Sequence, residues 1–217
     1  MELLSEEEQA EALKAWVRRN GPFIVGAVVL ALAVNFGFRW WQGHGQREAE
    51  LAGGSYQRVL DQFDAGKVDE GLALIEALRG DHPKSPYVAA ADLAATRVFV
   101  ARNELDKAEL RLKRVQGYIS DPQLKPLVVQ RLARVQSALG RHDEALATLG
   151  TTNQGAWEPA FAEARGDVLY AKGDHVGALR EYEAARAALP PIAQDTSGVG
   201  QLVDLKINDL RAEDVKK

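Results

Sequence analysis

Cysteine is absent from this 217-residue sequence, and methionine occurs only once. The lack of cysteine excludes disulfide bonds, thiolate zinc sites and cysteine nucleophiles, and is compatible with an oxidising compartment. Excess charge of one sign is also missing: the formal net charge is −4, so no basic field indicates a nucleic-acid partner. None of the motifs HExxH, GxSxG, GxxxxGK(S/T) or GxGxxG occurs. We therefore predict no enzymatic activity, no cofactor and no metal site.

Histidines are few, and their placement does not indicate a metal site. The four are His44, His82, His142 and His175. His142 and His175 occupy the same position of a repeat described below, directly before a helix. This periodicity predicts turn residues rather than metal ligands.

Charge is missing altogether from Asn20 to Phe38, whose nineteen residues lie between Arg18-Arg19 and Arg39. At 1.5 Å of rise per residue such a helix is roughly 28 Å long, close to the roughly 30 Å of bilayer hydrocarbon. A soluble core helix is the alternative, but between Phe23 and Phe38 only Asn35 is polar, so no polar face exists. We predict a transmembrane signal anchor at residues 20–41 that contacts the lipid bilayer.

The ends of this span carry features of a membrane interface. Trp40 and Trp41 form an aromatic anchor, and Pro22 suits the first turn of the helix. A cleaved signal peptide is the alternative, but the preceding residues are too many and too acidic, and RWWQGHGQ contains no small-x-small site. Basic residues before the span outnumber those after it, which predicts a cytoplasmic N-terminus.

Residues 1–19 form an acidic cytoplasmic tail. Ser5 begins a capping box, and Leu13, Trp16 and Val17 stand at helical spacing, which predicts a short amphipathic helix. An unstructured tail that becomes helical only near the membrane is the alternative.

The remaining residues, 42–217, contain a repeat. Short helix breaks carry Gly66, Asn103, Gly140 and Gly173 at matching positions, with spacings of 37, 37 and 33 residues. These spacings are near the roughly 34 residues of a tetratricopeptide repeat. Glycine and asparagine tolerate the left-handed conformation that ends a helix. The sequence therefore predicts an all-α fold, with one N-terminal transmembrane helix and a tetratricopeptide-like α-solenoid of about four helical hairpins.

Breakers and apolar spacing give the helix boundaries. Pro190 and Pro191 end the repeats, and a C-terminal capping helix at 201–210 is apolar at Leu202, Leu205 and Leu210. Trp157 precedes a helix start, which favours packing over an exposed contact. The eight repeat helices are predicted at 46–64, 68–80, 86–102, 104–117, 122–139, 141–149, 157–172 and 174–189.

The last unit follows the tetratricopeptide pattern most closely. Counting Pro159 as position one, Gly166 falls at position eight and Ala178 at position twenty. These small residues allow the two helices of a hairpin to approach closely, while Tyr182 at position twenty-four fills the gap to the next hairpin.

Such an array presents a concave surface, formed by the first helix of each hairpin at positions five, nine and twelve. Its alternative role is packing against the capping helix. Tetratricopeptide domains that grip a C-terminal carboxylate carry lysine at position five and asparagine at position nine, and this chain has neither. The candidate partner-binding residues are Tyr56, Leu60 and Phe63 in the first unit, Leu93, Arg97 and Val100 in the second, Gln130 and Arg134 in the third, and Tyr170 in the fourth; Ser137, Glu163 and Asp167 complete the positions.

The order of these features resembles the YfgM-type family, the ancillary subunits of the bacterial SecYEG translocon. The resemblance rests on the acidic tail, the span ending RWW, the degenerate repeats, RLARVQ at 131–136, RGDVLYAKGD at 165–174 and KINDL at 206–210. It implies a single-span protein of the bacterial inner membrane with a periplasmic repeat domain at 42–217. It also implies association with the SecYEG translocon, with a membrane-anchored periplasmic chaperone of the PpiD type and with nascent exported proteins.

Our hypothesis from sequence is therefore a non-enzymatic, membrane-anchored scaffold that binds a chaperone or newly translocated proteins through its repeat surface. The alternative is a structural adaptor of the cell envelope that organises division or polymer-assembly machinery. Co-purification separates the two, because translocon subunits are expected only in the first case.

Overall fold

The computed structural model describes residues 6–119, 121–151, 155–190 and 198–214. In these ranges every element of regular secondary structure is helical, which confirms the predicted all-α fold. Two compact units divide the chain, Met1–Gly54 and Ser55–Lys217.

Helix α1 begins at Glu6 and ends at Asp64. The interruption expected at residues 42–45, between the span and the first repeat helix, is absent. Glycine in a helix interior costs only about 1 kcal/mol, so Gly43 and Gly45 do not stop a helix that is favoured on both sides. Helix α1 thus includes the described residues of the tail, the span and the first repeat helix.

The N-terminal compact unit, Met1–Gly54, contains a helical stretch, Lys14–Gly37, that is long and apolar enough to cross a membrane by length and composition. None of the described side chains in that stretch is buried, and Phe23 is among the most exposed of them. Pro22 lies inside α1 rather than in its first turn as predicted. The side chain of the nearby Asn20 donates a hydrogen bond to the Trp16 carbonyl (3.0 Å). Ser5 and the side chains of Leu13, Trp40, Trp41 and His44 lie outside the described part of the chain.

Eight further helices follow among the described residues. Each boundary predicted between residues 68 and 189 lies within two residues of the observed one, whereas the final helix is longer than predicted. The helices are α2 (Val68–Asp81), α3 (Pro86–Ala101), α4 (Leu105–Tyr118), α5 (Leu124–Ala138), α6 (His142–Leu149), α7 (Glu158–Lys172), α8 (His175–Ala188) and α9 (Val199–Asp214), with a 3-10 turn at Gly155–Trp157.

The same turn ends the first helix of all four hairpins. Gly66, Asn103, Gly140 and Gly173 have φ values of 76°, 57°, 76° and 88°, which confirms the predicted left-handed positions. In each turn the following residue donates its backbone N–H to the carbonyl five residues earlier, which satisfies a carbonyl at the helix end. These bonds are Lys67 to Gln62, Glu104 to Phe99, Arg141 to Gln136 and Asp174 to Leu169, at 2.8–2.9 Å.

Glycine permits close helix approach inside two hairpins. A Cβ atom at Gly166 would lie 2.5 Å from the Tyr182 ring, and one at Gly71 would lie 2.4 Å from the Phe63 ring. Both distances are far inside van der Waals contact, so each ring fits only because the facing residue has no side chain. The close approach predicted at Gly166 is confirmed.

Helix α9 packs against the last hairpin, and of its three predicted apolar residues Leu210 is buried there. Val203, Ile207 and Leu210 are buried in one cluster with residues of α7 and α8. Leu202 and Leu205 are exposed, so their predicted role in this packing is wrong. The buried residues follow the i, i+4, i+7 spacing of a single helix face.

Trp157 packs partly buried against a cluster formed by α5, α6 and α7. This confirms the packing role favoured from the sequence. The cluster joins the third hairpin to the fourth, because its buried members include Ala133 of α5, Leu149 of α6 and Phe161 of α7.

Candidate binding surface

The first unit offers little free surface at the predicted positions. Tyr56 is half-buried and its ring stacks on Tyr87, with ring centroids 5.6 Å apart. Leu60 is half-buried. Phe63 is only 7% exposed, because its ring fills the space left by Gly71. The apolar residues of this unit therefore pack mainly inside the domain.

The second and third units bring three of the predicted residues together. Arg97 and Val100 of α3 and Arg134 of α5 are exposed and line the same groove. Leu93 is half-buried outside that lining, and Gln130 is only 6% exposed. The residue at position five of the repeat is thus half-buried in the second unit and buried in the third, whereas position nine faces solvent in both.

We call this feature the α3–α5 groove. It has a volume of about 290 Å³, at the lower end of the roughly 300–1,000 Å³ typical of small-molecule pockets. Its base is apolar, with Leu112 of α4 fully buried beneath it. The lining residues are Thr96, Arg97 and Val100 of α3, Leu105 and Leu112 of α4, and Arg131, Arg134, Val135 and Ala138 of α5.

Arg131 is a groove residue that the repeat positions did not identify. It stands at repeat position six, whereas the prediction considered only positions five, nine and twelve. The spacing of Arg131 and Arg134 was nevertheless visible in the sequence, because residues three apart on a helix share a face.

In the fourth unit, a lysine of α9 pairs with two of the predicted positions. Lys206 of α9 donates to Glu163 of α7 at 2.8 Å and also pairs with Asp167. The Tyr182 hydroxyl donates to Asp167 at 2.8 Å, and burial together with this bond raises the Tyr182 pKa above its ordinary value. Of the predicted residue positions only Tyr170 stays exposed, with its ring beside His175. The alternative role, packing against the capping helix, is therefore the one observed here.

A buried carboxylate joins the second unit to its neighbour. Asp92 of α3 is fully buried and accepts hydrogen bonds from Arg111 of α4 (2.9 Å), the Tyr118 hydroxyl (2.8 Å) and Arg79 of α2 (2.5 Å). Burial and the bond to Asp92 raise the Tyr118 pKa. Every charge here has a partner of opposite sign, so this cluster supports packing of three helices and leaves no free group for chemistry.

The histidines near the turns have local partners. His142 Nδ1 lies 3.2 Å from Ser137 Oγ, and the His175 ring lies against Tyr170. Among the described residues no group of three or more histidine, aspartate or glutamate side chains is arranged to hold a metal ion.

The fold defines a tetratricopeptide repeat-like protein, and residues 14–212 match the family described as tetratricopeptide repeat-like domain. A solved tetratricopeptide repeat protein from Parabacteroides merdae superposes with a TM-score of 0.50 at 14% identity, covering 73% of this chain and 61% of that protein. This likeness concerns the fold alone.

Three curated relatives are similar over nearly the whole chain, and each is named ancillary SecYEG translocon subunit. The one from Escherichia coli K12 is 33% identical over 95% of this chain and 97% of its own length. Those from Aggregatibacter actinomycetemcomitans and Haemophilus influenzae are both 28% identical over 95% of this chain and 98% of their own lengths. The chain belongs to the family of ancillary SecYEG translocon subunits, which confirms the resemblance inferred from sequence.

Proposed function

We propose that this protein is a non-enzymatic scaffold that is anchored in the bacterial inner membrane and associates with the SecYEG translocon. Family membership supports the association, because the relatives are named ancillary SecYEG translocon subunits and the match covers nearly their full lengths. The exposed apolar stretch Lys14–Gly37 supports the anchor, because such a surface is stable only when apolar surroundings cover it.

The proposed orientation places residues 1–19 in the cytoplasm and the repeat domain, residues 42–217, in the periplasm. Lys14, Arg18 and Arg19 precede the centre of the span, whereas Arg39 and Arg47 follow it. Positively charged residues concentrate on the cytoplasmic side of membrane segments, so this excess favours the proposed orientation.

The observation that carries the binding role is the α3–α5 groove. It lies between the second and third units, where Arg97, Val100 and Arg134 are exposed, whereas Glu163 and Asp167 of the fourth unit are paired with Lys206 of α9. Its lining combines apolar side chains with the cationic side chains of arginines, a combination suited to binding a peptide segment. We propose that it binds a membrane-anchored periplasmic chaperone of the PpiD type, newly translocated proteins, or both.

The membrane anchor makes weak binding sufficient. A groove held near the translocon exit meets emerging chains at an effective concentration that a short tether can raise to the millimolar range, of order 1 mM. Modest affinity for any one segment would then produce substantial occupancy and still permit release.

Two combined measurements test this function. A reporter that is active only outside the cytoplasm is fused after Lys217, and the same protein is purified from membranes in mild detergent. We expect an active reporter and co-purification of SecY with a periplasmic chaperone. A matched fusion after Arg19 should be inactive.

An inactive reporter after Lys217 would contradict the orientation. Division or polymer-assembly proteins in place of SecY would contradict the translocon role and favour the envelope adaptor.

A further inference from the structure

Three arginines around the α3–α5 groove have no counter-ion among the residues that the structure describes. Arg97, Arg131 and Arg134 form no ion pair with any described residue, and no carboxylate is among the groove-lining residues. Elsewhere in the described part of the repeat domain, arginines are commonly neutralised. Arg79, Arg111, Arg114, Arg141, Arg165, Arg186 and Arg211 all form ion pairs.

This clustering has an energetic cost in the absence of a partner. Arg131 and Arg134 are three residues apart on α5, and like charges at that spacing disfavour a helix by a few tenths of a kcal/mol. Arg97 adds a third positive charge from α3 on the same groove, although the whole protein is acidic, with net charge −4. An anionic ligand would remove this repulsion.

The groove also offers an apolar contact. Val100 is 45% exposed at its edge, while Leu112 and Val135 are buried in its base. The volume of about 290 Å³ accommodates one or two side chains rather than a folded domain or a large cofactor. A ligand that fits must therefore combine a small apolar group with negative charges on either side of it.

We propose that the α3–α5 groove binds an extended internal segment of a partner protein in which an apolar side chain is flanked by aspartate or glutamate. The apolar side chain contacts Val100 and the base of the groove. The flanking carboxylates accept hydrogen bonds from the guanidinium groups, whose planar donors suit carboxylate oxygens. The inference rests on the proposed function, since it specifies which segments the repeat surface selects.

The recognition differs from capture of a chain terminus. Carboxylates on both sides of the apolar residue match arginines contributed by two helices, α3 and α5. A terminal carboxylate supplies only one such group, so an internal acidic segment uses the groove more fully. The probe peptides are accordingly blocked at both ends.

The test uses the full chain in neutral detergent micelles and fluorescence anisotropy. One probe is a short peptide, acetylated and amidated, with central leucine and phenylalanine flanked by glutamates and a neutral dye. Its matched control has every glutamate replaced by glutamine. We expect at least about tenfold tighter binding of the acidic peptide, declining as ionic strength rises, because exposed charges are screened by salt.

Variants then locate the binding. Arg97→Gln with Arg134→Gln should weaken binding of the acidic peptide by about tenfold or more, because two charge-assisted contacts are lost. The control Arg180→Gln removes an exposed arginine of α8 that has no described ion pair and lies outside the groove lining, and should leave binding unchanged. Thermal unfolding followed by circular dichroism verifies that each variant is folded.

Equal binding of the two peptides, or equal losses in the groove and control variants, would overturn the proposal. Binding of vesicles containing phosphatidylglycerol through the same arginines, without peptide binding, would overturn it as well. Failure of the proposed function would give a different result: SecY would not co-purify with the wild-type protein, although the acidic peptide would still bind.

Discussion

Lys206 of α9 lies 2.8 Å from Glu163 of α7, although 43 residues separate them in the chain. Glu163 is nearly buried, and Lys206 also pairs with Asp167 and lies 5.3 Å from the centroid of the Tyr182 ring. This contact joins α9 to α7, beside a pocket of about 450 Å³ whose lining includes Asp167, Tyr170 and Lys206. Two of the predicted positions in the fourth unit, Glu163 and Asp167, are thereby used in contacts within the protein.

Replacing this lysine should destabilise the domain. Lys206→Met leaves the nearly buried Glu163 carboxylate without its cation. We expect the free energy of unfolding to fall by about 2 kcal/mol. Breaking a fully buried pair costs roughly 3–5 kcal/mol, and the smaller value is expected here because Lys206 is partly exposed. Urea unfolding followed by circular dichroism measures it. The control Lys107→Met removes an exposed pair and should change little. A Lys206→Met protein as stable as the wild type would show that the pair has no such role.

The fully buried Asp92 should be more sensitive. Asp92→Asn keeps the shape of the side chain but leaves Arg79 and Arg111 without their shared carboxylate, for an expected loss of about 3 kcal/mol. The matched control Asp106→Asn changes a highly exposed aspartate paired with Arg141 and should be near neutral. The urea midpoints of both variants provide the comparison, and equal midpoints would contradict the assignment of Asp92 as a structural centre.

Gly166→Ala tests the close approach of α7 and α8. The added methyl group would overlap the Tyr182 ring, which the packing around it holds in place, so we expect a loss of roughly 1–3 kcal/mol. Gly54→Ala is the control, because its new Cβ would meet no atom within 4 Å and alanine favours a helix interior. A stabilised Gly166→Ala protein, measured by thermal unfolding, would mean that the ring moves freely.

The turn at Asn103 offers a test of backbone strain. Asn103 has a φ of 57°, in the left-handed region. This conformation costs most residues roughly 1–2 kcal/mol of conformational free energy, whereas glycine and asparagine adopt it more readily. We expect Asn103→Ala to lower the unfolding midpoint and Asn103→Gly to maintain or raise it. Equal midpoints for the two variants would indicate that the turn tolerates any residue.

Acid should weaken the contact between Glu109 of α4 and Arg141, which directly precedes α6. Burial tends to raise the pKa of Glu109, but hydrogen bonds from Lys113 and Arg141 outweigh it and hold that pKa below the ordinary 4.5. The unfolded chain therefore binds a proton more readily, so this stabilisation is present above pH 4.5 and is lost as pH falls through the lower folded pKa. Urea midpoints between neutral and acidic pH should show a smaller acid-induced decrease in Glu109→Gln than in wild type. An unchanged decrease would exclude Glu109 as a contributor.

Local chemistry made much of the fold predictable. Gly66, Asn103, Gly140 and Gly173 are residues that adopt left-handed backbone conformations at low cost, and their spacing located the hairpins. Because each helix begins or ends at such a turn, the boundaries of α2 to α8 followed from sequence. Proline and apolar spacing added the position of α9.

Contacts between distant side chains were not predictable. Nothing in the repeat spacing indicates that Lys206 reaches Glu163, because that contact depends on how α9 docks. Of the three apolar residues predicted for α9, Leu210 is buried but Leu202 and Leu205 are exposed, because several apolar residues compete for one face. Burial of Gln130 likewise depends on the packing of α5 rather than on its position in the repeat.

Crosslinking in cells from Val100 tests the central claim most directly. A photoreactive amino acid at Val100, in the α3–α5 groove, is compared with one at Leu110, which is 70% exposed on α4 outside the groove lining. Mass spectrometry identifies the crosslinked proteins. The account predicts that Val100 captures a periplasmic chaperone or exported proteins, whereas Leu110 captures few or none. Capture of such partners from Leu110 but not from Val100 would contradict it.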